Sequence, residues 1–592
     1  MHEPIRKLLT DLLAESLLQI GVEALPADIY NALVEPPNTD LGHLAFGCFI
    51  SAKQLKKSPA LVATELKAAL HSKTQSWQGL SSVEAAGPYL NFKFDSALLF
   101  DKVVRSLLSG QTLREPLTAA APQTMIEYSQ PNTHKELHVG HMRNLCLGNS
   151  LVRLLRRSFG AQRIISATFP GDVGTHVAKC LWYLKRHVPA SEFEAYRHQT
   201  QSRGEWLGRM YSAANLRLED EEKTPELYEK NKAELTLILK ELEAGQGEYY
   251  ELWKETRQWS IELMEKVYKW ADVQFDRWYW ESEVDADSVR TVRRYFAEGR
   301  LQQSQGAIGF DFSDENLGFC MLLKSDGTGL YATKDIELAR RKFEDFKIEK
   351  SVYVVDLRQA LHFKQVFKAL ELLGFDQARN CYHLQYNFVE LPDGAMSSRK
   401  GNIVPLVALV ENMRQHVKSE YLSKYSGEWQ QEEINQVADH VAKGAIMYGM
   451  LRQDTNKKIV FDMSEWLKID GESGPFIQYS YARINSLLSK FKFDSAAAQA
   501  QLLQHPTELK LMQHLMNFNT VVLASAENYK PAQLCTYLYE TAKKFNGFYH
   551  DCSVGQAETE PLKQSRLALC AATGIVLKEG LALLGIPVPA RM

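Results

Sequence analysis

The sequence predicts a multidomain α/β protein. A doubly wound parallel sheet lies at its centre, an α+β domain precedes it and an α-helical domain follows. Three observations point to this. Between residues 125 and 405, apolar strand-like runs alternate with segments of helical period, the pattern of βα units. That stretch opens on a strand, a turn and a helix start in quick succession. From about residue 406 the pattern turns helical and stays so, apart from turns around 471–475.

Taken in order, residues 1–112 form a first unit. MHEPIRKLLTDLLAESLL is amphipathic and carries acidic residues, so it reads as a folded helix and not as a targeting peptide. A second helix is expected at SPALVATELKAAL, and the alternation in VEAAGPYLNFKF reads as a strand. Residues 113–124 (LREPLTAAAPQT) are rich in Pro and Ala and serve as a linker. At 125–128 an apolar run predicts a buried strand. After a Pro-Asn turn come His138-Val139-Gly140-His141 and then Met142, Leu145, Leu151, Leu154 and Leu155 at helical spacing. Residues 188–274 interrupt the unit with a highly charged stretch, read as an inserted helical hairpin with solvated faces. The sheet is expected to resume before FDRWYWESE and to run through KSDGTGLYATKD, KSVYVVDLRQ and NFVEL. Residues 406–466 form a helical connecting region and 467–592 a final helical domain.

Composition narrows the class. Apolar residues make up 45% and charged residues 24%, ordinary for a globular protein. No apolar run approaches the roughly 20 residues that a membrane-spanning helix needs. Cys48, Cys146, Cys180, Cys320, Cys381, Cys535, Cys552 and Cys570 form no CxxC pair. Their scatter argues against a zinc knuckle or a disulfide framework and for the reducing cytoplasm. The net charge of −3 means that any nucleic-acid partner must use local basic patches.

Chemistry concentrates at two motifs. A strand–turn–helix junction presents unpaired backbone N–H groups and is a ready anion site. His138 and His141 flank Gly140 there, which suggests a polyphosphate ligand: the glycine admits a nucleotide to the backbone, and the imidazoles can donate to phosphate oxygens. A domain's length later, Met396-Ser397-Ser398-Arg399-Lys400-Gly401 forms a small-residue loop with two adjacent cations. A third constellation, Glu127, Asn132, Tyr331, Asp335 and Gln359, offers carboxylates and neutral acceptors of the kind a planar guanidinium requires. Tyr331 and Asp335 lie four apart, so a helix starting near Ala332 would turn both toward one opening.

The phrases SQPNTHKELHVGHMRN, FPGDVGTH, KSDGTGLYATKDIELARR, RQALHFKQVF, MSSRKGN, SGPFIQYSYARI and PVPARM are spread over most of the chain. Together they resemble the arginyl branch of the class I aminoacyl-tRNA synthetases. The resemblance implies a Rossmann-like class I catalytic domain, an N-terminal tRNA-recognition domain and a C-terminal anticodon-binding domain of the DALR type. It implies ATP-dependent ligation of L-arginine to its cognate tRNA(Arg) through an arginyl-adenylate, with activation that requires tRNA. Magnesium would accompany ATP on its phosphates, with no structural metal. The enzyme is expected to be monomeric and cytoplasmic. By the same resemblance His138, His141, Lys135 and Lys400 are catalytic, and Gly140, Met396 and Ser397 help to bind ATP. Glu127 and Asp335 would hold the guanidinium, with Tyr331 as a flat wall. Asn132 and Gln359 would hold the amino-acid end. Tyr89 and Asn91, two apart on one strand, would contact a tRNA loop base, and Tyr479, Tyr481 and Arg483 the anticodon.

One departure from the family stands out. Ala395 and Ser398 occupy the positions of the two lysines in the usual class I loop. Lys135 is the substitute that the resemblance suggests, and Lys400 is left as either a pyrophosphate contact or a loop charge. Two rival classes remain from sequence, a small-molecule adenylyltransferase and a non-catalytic RNA-binding module. The first needs neither residues 1–112 nor the C-terminal helices, and the second has no use for two intact motif histidines.

Overall fold

Three central strands that carry valine or isoleucine, flanked by Cys381–Tyr386 and Arg277–Trp278, build a five-stranded sheet in which every pairing is parallel. Its spatial order is Cys381–Tyr386, Lys350–Asp356, Thr124–Glu127, Ile164–Thr168, Arg277–Trp278. The computed structural model describes residues 4–36, 41–74, 79–118, 121–391 and 404–592. Strands buried on both faces need no alternation, and Thr124–Glu127 and Ile164–Thr168 are buried at every position. Chain order reverses between Thr124–Glu127 and Lys350–Asp356. In a doubly wound sheet, the crevice at the carboxyl ends of such a pair is where ligands bind. Glu127 and Asp356 are the last residues of those two strands.

The sheet is less extensive than the sequence suggests. Gly318–Leu323 belongs instead to a separate antiparallel sheet with Gln302–Ser304 and Ala307–Phe312. Within KSDGTGLYATKD the residues from Tyr331 begin a helix, Tyr331–Phe346. Val389–Glu390 pairs only with Ile459–Val460. Short apolar runs declare extended structure, but the pairing partner is a tertiary choice. VEAAGPYLNFKF likewise forms two strands, Leu80–Ala86 and Tyr89–Phe94, because Gly87 takes φ +57° and reverses the chain. They join Leu33–Val34 and Leu44–Gly47 in an antiparallel N-terminal sheet, with helices Pro4–Gln19 and Pro59–Thr74 nearby.

The charged segment is helical, comprising Ala190–Arg197, Arg203–Glu221, Pro225–Ala244 and Glu248–Ala271. After residue 470 the long helices are Gly474–Lys490, Pro506–Met516, Phe518–Glu527, Pro531–Asp551 and Glu560–Leu583. Both other units lean on this bundle. Arg6 reaches Asn517 Oδ1 at 3.5 Å, and Gln513 Nε2 donates to His43 O at 3.4 Å. Helix Val139–Phe159 joins the central sheet to the bundle. Its Ser150 Oγ donates to Leu583 O at 3.2 Å, and its Arg157 Nη2 to Asn519 Oδ1 at 3.2 Å.

Candidate active site

A cleft of about 620 Å³ opens at the chain reversal. Glu127, Asn132, His138, Gly140, His141, Tyr331, Asp335 and Gln359 all line it. Lys135 does not: its ammonium lies 5.1 Å from the Tyr211 ring centroid, toward the inserted helices. Met396, Ser397 and Lys400 lie outside the described residues.

The two histidines cap the helix Val139–Phe159. Gly140 N donates to His138 Nδ1 at 3.1 Å, and His138 N donates to His141 Nδ1 at 3.2 Å. Each Nδ1 is therefore an acceptor, which fixes the proton of a neutral ring on Nε2. The ring centroids are 4.0 Å apart. Burial first, and then the Lys135 charge, push His138 down to about 4; burial also holds His141 well below its usual value. Near neutral pH both rings are thus neutral donors. A Cβ on Gly140 would come within 2.9 Å of His138 Cε1, so the space this glycine leaves is taken by the His138 ring.

The loop between strand and helix is held in costly backbone. Ser129 and His134 sit at φ +56° and +59°, a region non-glycine residues seldom enter. Asn144 Oδ1 accepts from Ser129 N at 2.6 Å, while its Nδ2 donates to Val354 O at 2.8 Å. His134 is locked between Thr133, Ser260 and Thr256. Asn132 pairs across to Gly171, where an added Cβ would fall 2.3 Å from Asn132 Oδ1. Only glycine admits that side chain.

Acidic groups line the same cleft. Glu127 Oε2 is bonded to Lys342, whose side chain is fully buried, and Glu127 Oε1 accepts from Gln130 at 3.1 Å. Asp335 Oδ2 meets His362 Nε2 at 2.5 Å, and this bond to a carboxylate raises the imidazole against its burial. Glu281, on the same cleft, pairs with Lys334 at 3.2 Å; burial pushes its carboxyl up to about 7. Tyr331 remains 64% exposed at the helix start, available as a wall. Sequence reading missed Lys342, His362, Glu281 and Asn144. His362 lies within RQALHFKQVF and Lys342 directly after KSDGTGLYATKDIELARR, but an isolated basic side chain in a helix says nothing of its partner.

The two outlying residue sets divide. Tyr89 is 36% exposed and packs edge-on against Phe49, whereas Asn91 is buried between partners Ala45 and Glu84 on the flanking strands. On Gly474–Lys490, Arg483 donates to Tyr479 OH at 3.2 Å and to Asn546 Oδ1 at 3.1 Å, and its guanidinium lies 5.1 Å from the Tyr549 ring centroid. Tyr481 is two positions from Tyr479, faces the other way and packs on the core. Among the described residues, no group of three or more His, Cys, Asp or Glu side chains is placed to hold a metal ion.

Comparison with known proteins agrees with this geometry. The family described as tRNA synthetases class I (R), catalytic domain, matches residues 103–463. The DALR anticodon binding domain matches 477–592, and the arginyl tRNA synthetase N terminal domain matches 5–94. An arginine–tRNA ligase from Bdellovibrio bacteriovorus is 59% identical over 100% of both chains. One from Clostridium botulinum is 34% identical, covering 96% of this chain and 97% of its own. The arginyl-tRNA synthetase structure from Thermus thermophilus superposes with a TM-score of 0.78 at 25% identity, covering 99% of this chain and 100% of its own. That from Plasmodium falciparum, at 19% identity, shares the fold with a TM-score of 0.75 over 100% of this chain and 99% of its own.

Proposed function

The chain belongs to the arginyl-tRNA synthetase family, and from that premise we propose how its cleft ligates arginine to tRNA. The protein is an ATP-dependent arginine–tRNA ligase of class I that serves protein synthesis. In the first half-reaction the arginine carboxylate attacks the α-phosphorus of ATP, forming arginyl-adenylate and releasing pyrophosphate. In the second, a terminal ribose hydroxyl of tRNA(Arg) attacks the adenylate carbonyl, and AMP leaves.

The observation that carries the residue assignments is the pair of histidine caps. Both rings accept at Nδ1 and so keep Nε2–H for an oxyanion at the end of the helix. His138 and His141 donate to the phosphate oxygens as charge builds. Lys135, whose field already reaches both rings, adds positive potential, and Lys400 is assigned to the pyrophosphate side. Met396 and Ser397 complete the ATP site with Gly140. Asp335 and Glu127 hold the guanidinium, Tyr331 forms its wall, and Asn132 and Gln359 hold the amino-acid end. Mg²⁺ arrives with the triphosphate. Tyr89 belongs to the surface for a tRNA loop base, its strand neighbour Asn91 being buried, and Tyr479 and Arg483 to that for the anticodon, Tyr481 packing on the core. Among the described residues no helix is long and apolar enough to cross a membrane; we place the protein in the cytoplasm as a monomer.

ATP–pyrophosphate exchange across all amino acids, with and without tRNA(Arg), tests this reading. Exchange is expected with arginine alone and only when tRNA is present. Full-rate exchange in tRNA-free enzyme would remove the tRNA requirement, and exchange driven equally by lysine would remove the pocket assignment.

A further inference from the structure

Both carboxylates assigned to the guanidinium already hold a protein partner, Lys342 from behind the cleft lining and His362 from the lining itself. Lys342 lies on helix Tyr331–Phe346, has no exposed surface, and sends its ammonium onto Glu127 Oε2, 3.8 Å from the Tyr353 ring centroid. His362, in the first turn of Ala360–Leu372, meets Asp335 Oδ2 at 2.5 Å. We propose that Lys342 and His362 are specificity-determining positioning residues: each pins one oxygen of its carboxylate, so Glu127 and Asp335 offer the ligand one oxygen apiece.

Two consequences follow for recognition. The first is charge. Lys342 compensates Glu127, so that carboxylate brings no net charge to the cleft, and Asp335, bonded to His362, is left to face the cation. Two unpinned carboxylates facing one cleft would leave a second negative charge buried without a partner, which is costly. The second is shape. A free carboxylate invites a two-oxygen fork with one edge of a guanidinium. Two single oxygens from different residues instead favour a planar cation whose N–H groups diverge. An ammonium is a compact point charge and cannot span the two oxygens. Glu127 Oε1 already accepts from Gln130, but a carboxylate oxygen has room for a second donor.

This inference rests on the reading of Glu127 and Asp335 as guanidinium ligands, and its test keeps the two apart. Full-length enzyme would be assayed for arginine KM, ATP KM, kcat and Tm as wild type, Asp335→Ala, Lys342→Met, His362→Leu and His362→Gln. Glutamine keeps an N–H donor near the position of Nε2 and leucine does not. We expect arginine KM to rise at least tenfold in Lys342→Met and His362→Leu, ATP KM to stay within twofold, and His362→Gln to recover most of the loss. His362 is partly exposed on the cleft wall, so its pair of variants gives the answer even if Lys342→Met does not fold. If Asp335→Ala impairs arginine use but His362→Leu keeps a normal arginine KM, the pinning role is overturned while the pocket assignment survives. A lowered Tm with normal arginine KM, or arginine and ATP KM rising together, also overturns it. If Asp335→Ala leaves arginine KM unchanged, the underlying pocket reading fails, and the inference with it.

Discussion

A histidine that accepts at one nitrogen is forced to donate at the other, and this makes His138 and His141 more than two imidazoles near a glycine. Removing either loses a donor aimed at developing charge, which contributes typically 10²–10³ in rate. We expect His138→Ala and His141→Ala each to slow activation about a hundredfold or more in stopped exchange assays, with the fold retained by circular dichroism. Near-normal exchange in a folded double variant would make the rings mere helix caps. Their protonation has a sign that can be checked. Lys135 stabilises the neutral ring, so Lys135→Met should raise the His138 pKa from about 4, yet burial, the larger cause, should keep it below 6.5. Histidine resonances followed by NMR across pH would show it; a fall, or no movement, would dissociate Lys135 from the motif. Asp335→Ala, which strips a charged partner from arginine, should cost on the order of 3 kcal/mol in binding. Calorimetric titration with arginine would measure it, and a loss under twofold would refute the role.

At the scale of elements, the site depends on how closely one helix lies against one strand end. Gly148 of Val139–Phe159 faces Tyr128, and an added Cβ would fall 2.0 Å from that ring. Tyr128 is fully buried and cannot swing away. Gly148→Ala should therefore destabilise by about 1–3 kcal/mol, the usual cost of overpacking. It should also slow exchange, since lifting the helix moves both capping histidines from the strand end. Urea unfolding alongside exchange would test this, and a stable variant at full rate would show that the helix can shift freely. This contact also marks what sequence can and cannot reveal. The strand at Thr124–Glu127, the helix after it and the histidines at its start were legible, because apolar period and cap residues are local signals. Of the carboxylates and amides of the cleft, Glu127, Asp335, Asn132 and Gln359 were legible as residue types, and Glu281 and Asn144 were not. The partners of Glu127 and Asp335 were not legible either: Lys342 lies 215 positions from Glu127, and nothing local distinguishes a helical lysine that is buried from one that is solvated. Tyr481 and Asn91 show the converse. The family pattern made them RNA contacts, yet packing buries Asn91 between two strands and holds Tyr481 half-buried against the core.

Across the whole molecule, the three units are stacked through hydrogen bonds and a shared core, and each carries a histidine that burial keeps neutral. His43 of the N-terminal unit is lowered to about 4, His134 and His138 beside the cleft to about 3 and 4, and His514 of the C-terminal bundle to about 4. Unfolded, each would titrate near 6.5. Their folded pKa values are depressed, so the stability they contribute is full above pH 6.5 and is lost as pH falls through about 4. At 1.36 kcal/mol per pKa unit, His43, His138 and His514 each contribute at most about 3 kcal/mol and His134 at most about 5. Glu281 works the other way. Its carboxyl is raised to about 7, so it favours folding below its unfolded value and loses that stability as pH rises through 7. One carboxyl of similar size offsets only one of the four histidines. The balance therefore falls on acidification, and it falls in all three units within one window. We expect the urea midpoint to drop steadily from pH 6.5 to pH 4. The N-terminal unit and the bundle should unfold together, because they share the Arg6–Asn517 and Gln513–His43 contacts. Denaturation followed by tryptophan fluorescence and far-ultraviolet dichroism across that range is the measurement. Replacing His514 with Gln should flatten the slope, since glutamine takes up no proton in the unfolded state. A midpoint level between pH 6.5 and 4.5, or an unaltered slope in that variant, would show that the buried imidazoles do not govern the acid limit of the fold.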